Sequence, residues 1–458
     1  RRALGDLRPG SDYDRLFAAA RCRERADWLV GINATRLLSV TYHRTLNTGR
    51  VVSPTLALLT QREANIAGFV PESFCTAELH LGSFTAESKR FSDRGEAEAA
   101  VVSAGGKCVV SAVSTKEKSE SAPAPYDLTT LQREANRVLG YTAQQTLDYA
   151  QSLYEKRLCT YPRTDSRYLT DGMEEGVKPL VLCAAGLCGL EPPFAVYAEQ
   201  VCDSSKVTDH HAVVPTASAA SANLAALPEG EAAVLRLVCR QLLCAVSETF
   251  TYAETTIEAE CGGRTFKARG KTIIDLGWRE YKGAPEWTPL PDFAEGVSVA
   301  VTSATVKEGK TTPPAAYTED TLLSAMEHAG AKEAPSDAES RGLGTPATRA
   351  ATIEKLVNGG FAERIKGKLV PTSAGASLVT VLPEALRSPL LTAEWESRLK
   401  QIERGELDAD AFIADIEHMV SGLVSDYVPV AEASVLFPTG RAVVGQCPRC
   451  GGVVSEAK

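Results

Sequence analysis

No uninterrupted apolar run in the 458 residues approaches the roughly 18–20 that a membrane-spanning helix needs. No N-terminal stretch has the basic, apolar and small-residue pattern of a secretory signal. The composition also lacks the polar excess of a disordered chain: 44% of residues are hydrophobic and 23% charged, as in ordinary globular proteins. At roughly 100–200 residues per domain, the length predicts three or four domains.

Lysine is absent from the first 62 residues, which hold eleven Arg against five acids. That segment carries +6 within a chain of net charge −9, so the remainder carries −15. A basic arm on an acidic body fits an anionic partner at one surface. Arg grips phosphate through paired hydrogen bonds. A solvated Arg-rich helix gives the same composition, and charge alone favours that plainer reading.

The twelve cysteines show no disulfide framework. Ten are scattered, mostly beside apolar residues, and read as buried free thiols in a reducing cytoplasm. Cys447 and Cys450 differ: Cys-Pro-Arg-Cys-Gly-Gly is the knuckle that begins a zinc ribbon. No second pair follows before Lys458, so this is at most half a zinc site and is expected to be empty. With Arg1-Arg2 standing directly before helical pattern, both ends read as cuts through a longer protein.

Residues 13–40 read as helix, with Arg21 and Arg25 on one face and Trp28 and Ile32 on the apolar side. A turn at 46–50 and a helix from about 55 to 66 follow. Alternating and β-branched runs between 73 and 114, and again at 253–260, 264–269 and 297–306, predict short strands. The helical block between them, about 126–250, implies a discontinuous β domain with a second domain inserted. Thr129-x-x-Gln132 and Thr142-x-x-Gln145 match capping boxes that open two helices. Leu131, Ala135, Val138, Leu139, Leu147, Ala150 and Leu153 are expected to face inward. Residues 158–161 read as a short strand. Beyond 315, helices at 321–328 and 346–357 and a hairpin turning at Lys366-Gly367 form a winged-helix pattern, followed by a helical region at 393–424. Asp408-Ala409-Asp410 reads as a helix start, and Trp28, Trp395 and Tyr126 as core residues.

The sharpest chemical feature is Thr160-Tyr161-Pro162-Arg163-Thr164-Asp165-Ser166-Arg167. Pro162 favours an extended Tyr161, and continued extension puts Tyr161 and Arg163 on one side. A phenol beside a guanidinium suits phosphoryl transfer, with the Tyr oxygen attacking phosphorus and the Arg stabilising charge on the non-bridging oxygens. Spacing alone favours a polar turn with a packed Tyr and an exposed Arg, since Tyr-x-Arg is frequent by chance.

This segment resembles the nucleophile motif of type IA DNA topoisomerases of the bacterial topoisomerase III branch. Further blocks resemble the family in the same order. They are Arg25–Asn33, Thr48-Gly49-Arg50-Val51-Val52-Ser53-Pro54, Tyr126-Asp127-Leu128 through Leu147, Asp209-His210-His211-Ala212-Val213-Val214-Pro215-Thr216, Tyr317-Thr318-Glu319, Gly344–Arg349 and Thr392–Glu396. The resemblance implies a multidomain α+β, toroidal type IA topoisomerase core. Its helical base, with winged-helix-like units, would be 1–70 and 316–430; a discontinuous β arch, 71–125 and 253–315; a lid with the nucleophilic Tyr, 126–252; and a tail with the knuckle, 431–458.

The resemblance implies Tyr161 as nucleophile, forming a 5′-phosphotyrosine in single-stranded DNA without ATP. Arg163 would stabilise the pentavalent phosphorus, and His210 would bond near the scissile phosphate. Asn47, Thr48, Gly49, Arg50, Val51 and Val52 would hold the strand, and Arg25 and Arg167 would neutralise phosphates. Val52 stands where the family has Gln. Magnesium is implied, held by acids of an N-terminal domain that has no counterpart in these residues; zinc would need a longer C-terminus. The expected partners are single-stranded DNA and a duplex in the central hole, with no membrane. A cytoplasmic monomer is expected, and the family also admits a helicase partner. Two other classes fit parts of the pattern: a non-enzymatic winged-helix DNA-binding protein, and a tyrosine recombinase-like enzyme that leaves a 3′ link.

Overall fold

The computed structural model describes residues 8–330, 342–437, 443–449, 451 and 453–455. The chain divides into two compact units, Arg1–Ala64 with Ala316–Lys458, and Asn65–Ala315.

The first unit opens with α1 (Asp14–Thr41), which buries Ala19, Cys22, Ala26, Val30, Ala34 and Leu38. These recur every three or four residues and make one narrow stripe of small and aliphatic side chains. Trp28 was expected in the core but lies off that stripe, two residues from Ala26, and is 61% exposed. α2 (Val52–Ala67) follows the turn.

The second unit begins with β1 (Ser73–Leu81), β2 (Phe84–Glu87), α3 (Arg94–Ser103) and β3 (Lys107–Glu120). α3 falls inside a stretch read as strands. Asp93 caps it by accepting from the Gly95 N–H at 2.6 Å, and its buried Ala97 and Ala100 face the sheet core. The helical insert comprises α4 (Leu128–Leu139), α5 (Ala143–Glu155), α6 (Glu174–Cys188) and α7 (Glu229–Ala245). α5 is capped by the Thr142–Gln145 box, as the sequence predicts. α4 is not capped by Thr129: Asp127 and Thr130 form its box, because Leu128 is already in the first turn. Val138 is exposed rather than inward.

The chain returns through β4 (Phe250–Cys261), β5 (Arg264–Asp275), β6 (Ser298–Ala300) and β7 (Ser303–Lys310). The seven strands run β6-β3-β4-β5-β2-β1-β7, every neighbour antiparallel. β2 and β5 share only the pair Glu87–Lys267. Cys108 and Cys261, both buried, form a disulfide between β3 and β4, which departs from the expectation of free thiols. Two hydrophobic cores serve this unit. One lies between the sheet and α3 and includes Leu79, Phe84, Phe91 and Phe266; the other lies among α4–α7 and includes Leu131, Leu153, Val181, Leu235 and Phe250.

The first unit resumes with α8 (Glu319–Glu327), α9 (Pro346–Asn358), the hairpin β8 (Ala362–Ile365) and β9 (Lys368–Pro371), and α10 (Ser373–Val381). Lys366 and Gly367 both have positive φ, 49° and 74°, as a two-residue hairpin turn of the right twist requires. The helical region expected over 393–424 is two helices, α11 (Leu390–Arg404) and α12 (Ala409–Ser425). Gly405, at φ 77°, ends the first, and Asp408 caps the second by accepting from Ala411 N–H at 2.9 Å. Both pack on α1. β10 (Val443–Gln446) and β11 (Val453–Ser455) pair at the C-terminal end.

Candidate active site and nucleic-acid interface

Residues 158–168 form no regular strand; they are laced to 210–216 by hydrogen bonds and isolated bridges. Thr160 N–H donates to Val214 O at 3.0 Å, and its hydroxyl donates to Ala212 O while accepting from Val214 N–H, each at 3.0 Å. Thr164 Oγ1 donates to His210 O at 2.7 Å, and its carbonyl accepts from Leu128 N–H at 3.1 Å, which ties the segment to the start of α4. Burial alternates: Pro162, Thr164 and Ser166 point inward, while Arg163 and Asp165 are exposed and Tyr161 is half-buried. The extended backbone expected from Pro162 therefore sets Tyr161 and Arg163 on the same open side.

The Tyr161 ring lies between two others. His210 is tilted at 52° with its ring centre 4.5 Å away, and Tyr154, at the end of α5, meets it edge-on at 5.3 Å. His210 is exposed and His211 half-buried, its Nδ1 2.9 Å from Ala212 O. Arg163 makes no ion pair among the described residues. Arg157, just before the loop, holds a left-handed φ of 60°, and its carbonyl accepts from the Thr216 hydroxyl. Burial pushes the Cys159 thiol up to about 12, so it stays neutral beneath the loop. Arg167 is half-buried, and its Nε and Nη2 donate to Pro125 O and Ala124 O, each at 3.0 Å. Those carbonyls belong to an extended segment with few ladder bonds, and Arg167 satisfies them.

In the first unit the 47–52 turn is held by Thr48 N–H donating to Thr35 Oγ1 at 3.0 Å and Gly49 N–H donating to Ser53 Oγ at 3.1 Å. Arg50, expected to hold the strand, is only 8% exposed. Its Nε and Nη2 donate to the two oxygens of Asp27 at 2.7 and 3.2 Å, and its Nη1 donates to Glu396 Oε1 at 3.1 Å. Its guanidinium also lies 5.3 Å from the Trp395 ring centre. Burial disfavours the Arg50 charge, but the Asp27 hydrogen bond and both carboxylates outweigh it and raise its pKa. Burial would likewise raise the Glu396 pKa, yet Arg23 at 2.6 Å, together with Arg50, holds it below the ordinary range. Asn47 is exposed, Thr48, Gly49, Val51 and Val52 are half-buried, and open space lies over the Gly49 Cα. Arg25 is exposed and pairs with Glu417 at 2.6 Å.

Sequence reasoning missed the Asp27–Arg50–Glu396 clamp and the Tyr154 contact. Arg23 and Asp27, four apart on one helical face, do not pair with each other: Arg23 reaches Glu396 and Asp27 holds Arg50. Glu396 is distant in sequence and left no pairing signal.

Residues 11–414 match the family described as DNA topoisomerase. DNA topoisomerase 3 of Bacillus subtilis (strain 168) is 36% identical over 97% of this chain and 65% of its own length. Its counterpart in Bacillus cereus (strain ATCC 14579) is 35% identical over 99% and 66%. Full-length topoisomerase I from Thermotoga maritima superposes with a TM-score of 0.73 at 26% identity, over 97% of this chain and 73% of that one. The chain belongs to this DNA topoisomerase family, with a type IA fold of mixed helices and strands. It spans about two thirds of the length of these curated relatives, 65% of the first.

Among the described residues, no three His, Cys, Asp or Glu stand close enough to hold a metal ion. Cys447 lies in a turn closed by Gly451 N–H donating to its carbonyl at 2.8 Å, and Cys450 lies outside the described residues. No helix among the described residues is long and apolar enough to cross a membrane.

Proposed function

We propose that this chain is the strand-cleaving and strand-holding part of a type IA DNA topoisomerase. The observation that carries the reading is the Tyr161 phenol, half-exposed on a braced loop, with the His210 ring 4.5 Å away and Arg163 on its open side. Tyr161 Oη attacks a DNA phosphorus. The bond from phosphorus to the 3′-oxygen breaks, and that oxygen leaves as a hydroxyl once protonated. The product is a 5′-phosphotyrosine, a diester of similar energy to the bond it replaces, so no ATP is consumed. Another strand passes, and the 3′-hydroxyl reverses the transfer. Arg163, free of ion-pair partners among the described residues, stabilises charge on the non-bridging oxygens. His210 bonds near the same phosphate and can carry a proton.

For strand holding, the geometry favours the exposed side of the 47–52 turn, with Arg50 bracing that turn from beneath. The base, arch and lid ranges belong to the same proposal, as do a monomeric state, the cytoplasm and a helicase partner. The family's magnesium chemistry belongs to the complete enzyme, and no step here is routed through it.

The purified 458-residue chain is expected to bind single-stranded DNA weakly and to leave supercoiled plasmid unrelaxed with magnesium present. Relaxation by this chain alone would overturn that division of labour. In a complete enzyme containing these residues, Tyr161→Phe should abolish cleavage and preserve binding. Intact binding and function without Tyr161 would favour the non-enzymatic winged-helix reading.

A further inference from the structure

Residues 121–127 join the end of β3 at Glu120 to the start of α4 at Leu128, and so carry the chain from the sheet into the helical insert. Pro123 and Pro125 lack N–H groups, and each keeps the residue before it extended, so the β3 ladder stops at Glu120. The carbonyls of this connector are bonded all the same. Ala124 O accepts from Arg167 Nη2 at 3.0 Å and from Gln241 Nε2 at 2.6 Å. Pro125 O accepts from Arg167 Nε at 3.0 Å, and Tyr126 O accepts from Val213 N–H at 2.8 Å. Leu128 N–H, just beyond, donates to Thr164 O at 3.1 Å. The connector is therefore held by the two segments that bear Tyr161 and His210.

Arg167 makes this tie from the Tyr161 loop with its side chain. Nε and Nη2 lie along one edge of the planar guanidinium, so a single Arg reaches two successive carbonyls. A Lys ammonium carries the same charge without that fork. Between Tyr161 and Arg167, the buried Thr164 hydroxyl donates to His210 O at 2.7 Å and accepts from Ser166 N–H at 3.0 Å. A displacement of the connector thus passes along a short, bonded stretch of backbone to the phenol and its neighbouring imidazole.

We propose that Arg167 is a positioning residue and not a ligand of DNA phosphate: its fork fastens the Tyr161 loop to the connector between sheet and insert, and so sets where the phenol stands. The proposal rests on the reading of Tyr161 as nucleophile. A nucleophile misplaced by about 1 Å can lose on the order of 100-fold in rate. Loss of the fork therefore belongs in the chemical step, whereas loss of a phosphate ligand belongs in DNA affinity and its salt dependence.

The test compares Arg167→Lys, which keeps the charge and loses the fork, with Arg167→Ala, each first shown by thermal melting to fold. It uses a complete enzyme containing these residues, magnesium and a single-stranded oligonucleotide. Both variants should cleave more slowly at saturating DNA, by on the order of tenfold. The Kd for the oligonucleotide, and the slope of log Kd against log salt, should stay at the wild-type values. A phosphate ligand gives another pattern: Arg167→Lys behaves as wild type, and Arg167→Ala binds more weakly with a salt slope smaller by about 0.7. That pattern, or wild-type cleavage by Arg167→Lys alone, would overturn the proposal. In the 458-residue chain both substitutions should also speed amide hydrogen exchange over 122–128, and unchanged exchange would overturn it equally. The exchange readout needs no cleavage, so it separates failure here from failure of the nucleophile reading, which a DNA adduct on a residue other than Tyr161 would reveal.

Discussion

Arg50 shows why a residue type does not settle a residue's work. Its cation is buried against Trp395 and matched by Asp27 and Glu396. Removing one partner leaves a buried charge short of compensation. Asp27 is 43% exposed and Glu396 remains on Arg50, so Asp27→Ala is expected to destabilise the first unit by about 1 kcal/mol, read from chemical denaturation. Glu396 carries a pH signature. Its folded pKa is depressed, so its stabilisation is present above its ordinary value of 4.5 and is lost as the pH falls through the lower folded value. Thermal melts of wild type and Glu396→Gln should show the wild-type advantage shrinking below about pH 4.5; a constant difference down to pH 2 would contradict this account. The Gly-Arg pair was legible in the sequence, but its partner Glu396, 346 residues away, was not. Trp28 was misjudged for a local reason: the buried stripe of α1 is set by Ala26 and Val30, and position 28 falls between them on the far side.

At the scale of elements, sequence reading succeeded where backbone chemistry is local. The Thr142–Gln145 box, the positive-φ turn at Lys366-Gly367 and the Asp408 cap each act within four residues. Thr142→Ala should lower stability by about 1 kcal/mol in the second unit; no loss would mean water replaces the cap. α3 was missed because its Ala-rich run sits between strands, although Asp93 supplied a cap signal. The loop at 158–168 was read as partly strand. It is extended, but its bonds run to 210–216, and a partner that far along the chain cannot be read from spacing. Those bonds fix where Tyr161 stands, and they bring the His210 ring to it.

The whole molecule is two compact units, and the second is continuous from 65 to 315. It contains both of its hydrophobic cores and the Tyr161–His210 pair. Residues 65–315 expressed alone should therefore fold cooperatively, with dispersed amide resonances and a sharp melt; a molten species would show that the division into units is not one of stability. The broad plan, a β domain interrupted by helices with helical segments at both ends, was legible from periodicity. The sharing of one unit by sheet and insert was not, because it depends on the start of β4, where Phe250 and Tyr252 join the helical core.

The central claim is that Tyr161 becomes the temporary anchor of a broken DNA strand through its 5′ end. The most direct measurement uses a complete enzyme containing these residues, magnesium and a single-stranded oligonucleotide labelled at one end or the other, followed by denaturation and peptide mapping. The account predicts that the 3′-end label stays with the protein, on the peptide containing Tyr161. Retention of the 5′-end label instead, or an adduct on another residue, would contradict it.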